Sequence, residues 1–318
     1  MIDRLPTEVA RAAERIAPHI RRTPLDYSRR LSLETGANVW LKLENLQHTC
    51  SFKARGAFNK LLSLNVSERR AGCVVASSGN HGAASAYAMS QLGLEGIVFV
   101  PERTSSTKVS AIRESGIEVR LFGTDGLDTE LHARAHARHH NMQYISPYND
   151  ADVIAGQGTC GVEIGSDLPA VDAVFIAVGG GGLISGTGAF LKSAKPGVKV
   201  VACQPEASAV MTRSVQAGRI LELPSDPTLS DGTAGGIEAG AITFDLCRRI
   251  ADDYVLVSEE QTAEAMRTFM DAHHMLLEGA AGVALAGLVA RADDYRGRNV
   301  VVIICGGNIS REALRQVI

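Results

Sequence analysis

The sequence predicts an α/β protein built on open, mostly parallel sheets that are flanked by helices. Short apolar runs rich in β-branched residues alternate with longer segments whose apolar residues recur at helical spacing. Several of the apolar runs end in clusters of glycine or small polar residues. Because ligands in open α/β sheets bind beyond the carboxyl ends of the strands, these clusters mark the expected binding sites.

Eight strands are predicted from apolar runs that are bounded by turn residues. Runs that are apolar at successive positions are typical of central parallel strands, which helices cover on both faces. In chain order the predicted strands are residues 39–43, 73–76, 96–100, 118–122, 173–178, 199–203, 254–257 and 300–305.

Eight helices are predicted between and around these strands, from apolar residues at helical spacing and from capping residues at the ends. No internal repeat or low-complexity linker interrupts the alternation. The predicted helices are residues 7–16, 52–64, 82–92, 107–114, 128–140, 182–192, 259–273 and 281–290.

Composition and charge exclude several classes of protein. The chain has 318 residues, 45% hydrophobic and 21% charged, which is ordinary for a globular protein and unlike a disordered or coiled-coil one. A net charge of −3 offers no basic excess for binding a nucleic acid. The uncharged stretch at residues 173–191 contains six glycines, which argues against a membrane helix.

Cysteine usage and the N-terminal segment indicate the compartment. The six cysteines are scattered without a CxxC pair, so neither a disulfide framework nor a zinc knuckle is expected. The first twenty residues lack the apolar block of a secretion signal. We therefore expect a cytoplasmic protein with no membrane partner.

Four consecutive glycines, Gly179, Gly180, Gly181 and Gly182, follow the predicted strand at residues 173–178 and precede a helix. Without Cβ atoms, their backbone N–H groups can converge on one anion at a helix N-terminus, which predicts a phosphate site. The alternative is a tight strand-to-helix turn that needs positive φ angles.

Three further loops carry polar or reactive residues. SSGNHG, at residues 77–82, could hold a carboxylate through its N–H groups, or it could be a polar helix cap. Lys53 lies near the start of a predicted helix, and the helix N-terminus and the cation Arg55 should both lower its pKa and favour a nucleophilic amine. The alternative is an ordinary surface lysine. CGGN, at residues 305–308, ends another predicted strand.

An activatable lysine, a Ser/Asn loop and a phosphate cup are together what a pyridoxal 5'-phosphate (PLP) enzyme requires. The chain closely resembles the fold-type II PLP enzymes of the threonine/serine dehydratase and serine racemase family. The resemblance covers nearly the whole chain in collinear order, and CQPEAS and TLSDGTAGG resemble its hydroxyectoine-utilisation or phenylserine dehydratase-like branch. The matching motifs are RRTPLDYSRRLS, KLENLQHTCSFKARGA, SSGNHG, IAGQGT, VGGGGLISG, SDGTAGG and CGGN.

The resemblance implies the residues that act on the substrate. Lys53 is implied as the Schiff-base lysine that also removes the Cα proton. Ser78 lies where the racemases of the family place an acid/base on the opposite face. The residues implied to bind the substrate are Ser77, Ser78, Asn80 and His81.

The resemblance also implies the cofactor contacts. Asn80 should hydrogen-bond the phenolic oxygen, Phe52 and Gly232 should pack on the two ring faces, and Cys305 should meet the pyridine nitrogen. Glu278 matches a glutamate that the family places near the active site, with its role left open. Lys53 is implied to bind the cofactor through its amine, and the residues implied to hold the phosphate are Gly179, Gly180, Gly181, Gly182 and Leu183.

The chain departs from the family pattern at three places. EGAAGV, at residues 278–283, replaces a common EPTAGV-like pattern, for which the alternative explanation is simple helix packing. Thr49-Cys50-Ser51 replaces the TGS that precedes the lysine in many dehydratases. Gln204 and Val210 stand where cation-binding members carry carboxylates, and since hard cations need several oxygen ligands, no metal site is expected.

The implied function is a PLP-dependent carbon–oxygen lyase that converts a β-hydroxy amino acid such as L-threonine or L-serine to a 2-oxo acid and ammonia. One alternative is an amino-acid racemase on the same site. An alternative from a different class is a metal-dependent hydrolase or binding protein that uses the His132/His136 pair at helical i, i+4 spacing.

The resemblance further implies a two-domain architecture like that of the tryptophan synthase β-subunit, with the cofactor between the domains. Residues 1–69 and 150–318 are expected to form a large PLP-binding domain, and residues 70–149 a small domain. A homodimer is expected.

Overall fold

The structure is a computed structural model that describes residues 2–318 and contains ten strands. Eight of them match the predicted strands, with ends that differ by at most two residues. The strands are β1 (Leu25–Tyr27), β2 (Asn38–Leu43), β3 (Cys73–Ala76), β4 (Gly96–Val100), β5 (Glu118–Leu121), β6 (Gln143–Tyr144), β7 (Ala173–Ala177), β8 (Lys199–Pro205), β9 (Asp253–Val257) and β10 (Asn299–Ile304).

The strands form two sheets. The larger has the order β1-β2-β10-β7-β8-β9, and all its neighbouring strands are parallel except β1 and β2. The smaller has the order β5-β4-β3-β6 and is entirely parallel. The predicted α/β class with open, mostly parallel sheets is therefore confirmed.

Fourteen α-helices flank the sheets within the described residues. Each of the eight predicted helices is present, with ends that differ by at most two residues. The helices are α1 (Leu5–Ile16), α2 (Arg29–Thr35), α3 (Lys53–Ser63), α4 (Val66–Ala71), α5 (Asn80–Gln91), α6 (Ser106–Arg113), α7 (Gly126–His139), α8 (Ala151–Asp167), α9 (Gly182–Ala194), α10 (Val210–Ala217), α11 (Ile242–Ile250), α12 (Glu259–His273), α13 (Gly279–Ala290) and α14 (Arg311–Val317).

Each sheet has its own hydrophobic core. All four strands of the smaller sheet fall inside the predicted small domain, residues 70–149. Helix α3 lies outside that range, yet its apolar residues Ala54, Phe58 and Leu61 pack into the core of the smaller sheet. The domain boundaries stay a prediction, and α3 contacts both halves.

A buried network of four charged side chains fixes α3 against the larger half. The Arg55 guanidinium, fully buried, donates to both carboxylate oxygens of Glu44 and of Glu163 at 2.7–2.9 Å. Lys42 also pairs with Glu163, and its ammonium donates to the carbonyl of Thr23 at 2.6 Å. Two positive and two negative charges balance within this network. The first turn of α3, which begins at the candidate catalytic lysine, is thereby held in place.

No helix in the described part of the chain combines the length and the apolarity needed to cross a bilayer.

Candidate active site

The candidate site lies where the loops after β3, β7 and β10 meet the start of α3. Carboxyl ends of parallel strands share one edge of a sheet, so the loops after β7 and β10 emerge side by side. The CGGN loop is bound to the segment before α3: Phe52 N–H donates to the Cys305 carbonyl at 3.0 Å, and Gly307 N–H donates to the Cys50 carbonyl at 2.9 Å. Two of the predicted motifs are therefore in direct contact.

Lys53 is the first residue of α3, and its side chain is half-buried, with the amine desolvated inside the site. Its Nζ donates to the carbonyl of Pro147 at 2.8 Å. Burial lowers the pKa of Lys53 to about 8, while the charge of Glu278 limits the fall. The direction of the predicted shift is confirmed, but its cause is desolvation, since Arg55 is neutralised by its own carboxylate partners.

Cys50, which replaces the glycine usual in the family motif, has a left-handed backbone with φ +53°. Its thiol is exposed. Glycine adopts this conformation at no steric cost, whereas a residue with a Cβ is strained in it. Two backbone hydrogen bonds hold this conformation: Cys50 N–H donates to the Gln47 carbonyl and the Cys50 carbonyl accepts from Gly307 N–H, both at 2.9 Å.

The SSGNHG loop connects β3 to α5. Ser77 and Ser78 are partly exposed at the end of β3, and the Ser77 hydroxyl accepts from Gly79 N–H at 3.2 Å. Gly82 is required by space, because a Cβ there would lie 2.0 Å from the Ser77 carbonyl oxygen. Asn80 begins α5 and is half-buried. The N-cap of α5 is Gly79 and no side chain caps the helix, so the interpretation of the loop as a polar helix cap is wrong. The serine and asparagine side chains lie beside the helix N-terminus, where a carboxylate could bind.

The ring of His81 is buried inside the smaller half. Its Nε2 lies 2.9 Å from the carbonyl oxygen of Ile145, which can only accept, so Nε2 carries the proton. Burial and the charge of Lys53 lower the pKa of His81 to about 3, and the ring is neutral. This side chain therefore ties α5 to the end of β6, and its predicted contact with a substrate stays a prediction.

Glu278, whose role the sequence left open, lies at the centre of the site. Both of its carboxylate oxygens accept from Asn80 Nδ2, at 2.8 and 2.9 Å, and Cys305 Sγ lies 3.8 Å from Oε1. A Cβ on Gly306 would lie 2.6 Å from this carboxylate, and one on Gly232 would lie 3.7 Å from it. The buried Glu278 carboxyl therefore contacts the SSGNHG and CGGN motifs and lies beside SDGTAGG.

Asn80 has a fixed orientation because both ends of its amide are bonded. Asn308 Nδ2 donates to Asn80 Oδ1 at 2.8 Å, while Asn80 Nδ2 donates to Glu278. A flip of the amide would bring donor against donor at Asn308 and acceptor against acceptor at Glu278. Because the two oxygens of the Glu278 carboxylate lie side by side and share one N–H of Asn80 Nδ2, the other N–H is a directed donor, which suits the predicted contact with a phenolic oxygen.

Burial raises the pKa of Glu278 to about 7; the bond from Asn80 limits the rise and the charge of Asp231 adds to it. Replacing Glu278 with glutamine is expected to make the cofactor-free protein less sensitive to pH. In the wild type the unfolded chain loses this proton near pH 4.5 and the folded chain near 7, so the native state is penalised as pH rises through that window. The penalty, on the order of 3 kcal/mol, is complete above pH 7.

Urea unfolding at pH 4.5 to 8 measures this effect. The free energy of unfolding of Glu278→Gln minus that of the wild type should rise by on the order of 3 kcal/mol across the range. Glu264→Gln, at an exposed position, is the matched control and should give a nearly constant difference. A constant difference for Glu278→Gln as well would contradict the raised pKa.

Cys305 ends β10 and is buried. Burial raises the pKa of its thiol well above the ordinary value, and the charge of Glu278 adds to the rise. The thiol is therefore neutral, and its nearest polar partner is Glu278. Its predicted contact with a pyridine nitrogen stays a prediction.

The tetraglycine loop precedes α9, a helix of 13 residues. Gly181 has φ +83°, so the turn interpretation is correct for this position. Gly179 is held against the backbone of Thr233, since a Cβ on it would lie 3.0 Å from the Thr233 Cα. Within the described residues, the N–H groups of Gly180 and Gly181 donate no hydrogen bond to the chain. Free donors at a helix N-terminus suit a phosphate, so the turn and the phosphate cup coexist.

The donor set therefore fits a phosphorylated aldehyde cofactor. The buried Lys53 amine can form an imine, the loop of Gly179 to Gly182 with the adjoining Leu183 offers N–H donors to a phosphate, and Asn80 offers a directed N–H. Phe52 lies beside the amine, with Lys53 Nζ 5.2 Å from the centre of its ring.

Gln204 occupies the position where cation-binding relatives carry a carboxylate. Its side chain is buried and accepts from Thr212 N–H at 2.8 Å and from the Thr212 hydroxyl at 2.7 Å. Its amide nitrogen donates to the Ser208 carbonyl at 3.4 Å. A neutral amide thus links β8 to α10 without a cation.

Chelators are accordingly expected to leave the activity of this protein unchanged. The amide of Gln204 offers one weak oxygen ligand, already used twice, and Val210 offers none. Activity after dialysis against EDTA, with and without added Mg²⁺ or Ca²⁺, is the measurement. Loss of activity in EDTA and its return with either cation would contradict this interpretation.

The histidines of α7 do not form a metal site in the described residues. His132 stacks on Phe122, with ring centres 3.5 Å apart, and lies edge-on to Phe99 at 5.0 Å. No group of three or more potential ligand side chains comes together in residues 2–318. Aromatic packing explains the positions of the His132 and His136 rings, so these residues do not support the metal-dependent alternative.

Two contributions to the site were missed from the sequence. Pro147 supplies the carbonyl that accepts from Lys53, and Tyr148 packs on the tetraglycine loop. Both lie in SPYND, directly before the α8 segment that contains IAGQGT. The signal available was the position of these residues at the end of β6, a strand of two residues that is too short to recognise.

Comparison with known proteins agrees with the geometry. The family described as "Pyridoxal-phosphate dependent enzyme" matches residues 16–306. The L-threonine ammonia-lyase of Thermotoga maritima is 38% identical over 299 residues, which cover 94% of this chain and 74% of that protein.

Two solved structures show the same fold over nearly the whole chain. The processed form of threonine deaminase isoform 2 from Solanum lycopersicum has a TM-score of 0.95 at 33% identity, covering 99% of this chain and 92% of that one. The serine racemase from Dictyostelium discoideum has a TM-score of 0.90 at 32% identity, covering 96% and 98%.

Proposed function

The chain belongs to the family of pyridoxal-phosphate-dependent enzymes, and from this premise we propose that it is an ammonia-lyase that converts a β-hydroxy amino acid, such as L-threonine or L-serine, to a 2-oxo acid and ammonia. Its cofactor is PLP, and it is a carbon–oxygen lyase of the fold-type II class. The observation that carries the proposal is the buried Lys53 amine, with its lowered pKa, in a site whose tetraglycine loop offers free N–H donors.

PLP, when bound, would supply an electron sink that makes the Cα proton of the substrate acidic. Lys53 would hold the cofactor, and its free amine would accept the Cα proton of the substrate. A pKa of about 8 leaves a useful fraction of this amine uncharged near neutral pH. Ser77, Ser78 and the N-terminus of α5 bind the substrate carboxylate, since free N–H groups at a helix start favour an anion.

Two fates of the substrate are compatible with this site. Departure of the β-hydroxyl after loss of the Cα proton leads, after hydrolysis, to a 2-oxo acid and ammonia. Return of a proton to Cα from the opposite face by Ser78 gives the enantiomer instead. We propose elimination as the main reaction and keep racemisation as the second candidate, which similarity to a serine racemase favours.

Incubation of the PLP-loaded protein with L-threonine, L-serine and L-phenylserine tests the proposal. The 2-oxo acid and ammonia should appear in equal amounts, and chiral chromatography of remaining serine measures racemisation. D-serine in excess of 2-oxo acid would reverse the order of the two candidates. A loaded protein that forms neither product from any of the three would contradict both.

The proposal also includes the oligomeric state and the location of the protein: we expect a homodimer in the cytoplasm. All six cysteines are free thiols, which suits a reducing compartment. Exposed apolar side chains on the larger half, Tyr27 at 48% and Leu276 at 52% exposure, offer surface for a second copy. Sedimentation velocity and cell fractionation are the direct measurements.

A further inference from the structure

Residues 145–150, which connect β6 to α8, contact several parts of the site. The Pro147 carbonyl accepts from Lys53 Nζ at 2.8 Å, and the hydroxyl of Tyr148 accepts from Glu238 N–H at 2.9 Å. This segment is therefore bonded both to the catalytic lysine and to the loop that follows SDGTAGG.

The ring of Tyr148 occupies the space beside Gly180. A Cβ on Gly180 would lie 2.3 Å from two atoms of the ring and 2.7 Å from a third, and these are the three nearest atoms. Gly180 does not have a positive φ, unlike Gly181 at +83°. Glycine is thus needed at position 180 to make room for Tyr148, and at position 181 to form the turn.

Tyr148 is itself held from both sides. Its hydroxyl is fixed by the backbone of Glu238, and the next residue, Asn149, accepts from Ile242 N–H at 2.9 Å through Oδ1. Burial raises the pKa of Tyr148 to about 12, so the hydroxyl stays neutral and keeps its place as an acceptor. The ring cannot withdraw from the glycine loop without breaking these contacts.

We propose that Tyr148 is a positioning residue for the cofactor phosphate: its ring, packed against Gly180, fixes the tetraglycine backbone with its N–H groups directed at the anion. Four consecutive glycines would otherwise be the most flexible segment of the chain, and ordering them on binding would cost affinity. Contact with the Tyr148 ring restricts the glycine backbone already in the cofactor-free protein.

The test compares two ligands that differ only in the phosphate. Cofactor-free protein is titrated with PLP and with pyridoxal, and the ratio of their dissociation constants reports what the phosphate contributes. Tyr148→Ala should lower the preference for PLP at least about tenfold while changing the affinity for pyridoxal less than about threefold. Tyr148→Phe, which keeps the ring, should keep the preference within about threefold of the wild type.

A double-mutant cycle tests the contact itself. Gly180→Ala should also lower the preference for PLP, because its Cβ overlaps the ring. In Tyr148→Ala/Gly180→Ala the three overlapping atoms are gone, so the added methyl group should cost less than about threefold beyond Tyr148→Ala alone. If the fold losses of PLP preference in the two single variants multiply in the double variant, the two positions act independently, and the proposal is overturned.

Tyr295→Ala is the matched control. Its ring is half-buried against Phe175, with ring centres 5.1 Å apart, and it precedes β10 at the opposite end of the larger sheet. It should leave the preference for PLP unchanged. Equal losses for PLP and pyridoxal in Tyr148→Ala, or a loss in Tyr148→Phe as large as in Tyr148→Ala, would also overturn the proposal. The inference rests on the use of PLP, which is part of the proposed function. If the protein shows the expected binding ratios but no lyase activity, that result contradicts the proposed reaction and not the role of Tyr148.

Discussion

Replacement of Lys53 by alanine is expected to abolish turnover and the visible absorbance of the bound cofactor while leaving the fold intact. One amine both carries the cofactor and accepts the Cα proton, so its loss should lower kcat by at least about four powers of ten. The fold should not suffer, because burial penalises the charged amine and alanine removes that penalty. Absorbance of the reconstituted protein, turnover of L-threonine and thermal unfolding are the three measurements.

Lys60→Ala is the control for this prediction. Lys60 lies on the same helix and pairs with Asp150 at 2.7 Å, away from the buried amine of Lys53. This variant should retain cofactor absorbance and turnover. Retention of more than about 1% of wild-type activity by Lys53→Ala would show that another group removes the Cα proton.

The strands that carry the site could be predicted because their signal is local. β7 and β10 are apolar at nearly every position and end in glycines, and both were located to within one residue. β6 has two residues and no such pattern. The loop after it, with Pro147 and Tyr148, was missed for that reason.

Helix α8 shows how tertiary packing overrides propensity. It is the longest helix of the described chain, with 17 residues, but its glycines at 156, 158, 161 and 165 argue against a helix when each residue is weighed alone. A Cβ on Gly158 would lie 2.8 Å from the backbone of Gly186 on α9. The glycines serve close packing between helices, which no local pattern reveals.

The direction of the pKa shift of Lys53 was predicted, but its cause was not. The sequence predicted a lowered pKa for Lys53 and attributed it in part to Arg55, but Arg55 is paired with Glu44 and Glu163 and directed into the protein. Glu278 was noted without a role, because its partner Asn80 lies 198 residues away in sequence. Such long-range pairs emerge only when the two sheets are brought together.

Loss of the Arg55 guanidinium is expected to be the most damaging change to stability outside the catalytic chemistry. In Arg55→Met two buried carboxylates, Glu44 and Glu163, retain only Lys42 as a cation, so one negative charge is left uncompensated. Breaking a buried ion network from one side costs about 3–5 kcal/mol. Urea unfolding should show that loss at pH 8. Arg11→Met, at an exposed pair with Glu8, should cost less than about 0.5 kcal/mol.

The pH dependence separates lost charge from lost packing in this variant. Burial alone would raise the pKa of Glu163, but the hydrogen bonds and charges of Arg55 and Lys42 outweigh it and hold the pKa below its ordinary value. In the wild type this carboxylate therefore stabilises the fold above its unfolded pKa, and the stabilisation is lost as pH falls through the lower folded value. Without Arg55 its folded pKa should rise above the unfolded value, so the penalty of the variant should shrink as pH falls toward 4.5. A penalty that stays constant from pH 8 to pH 4.5 would mean that methionine disturbs the packing of α3 rather than the charge balance beneath Lys53.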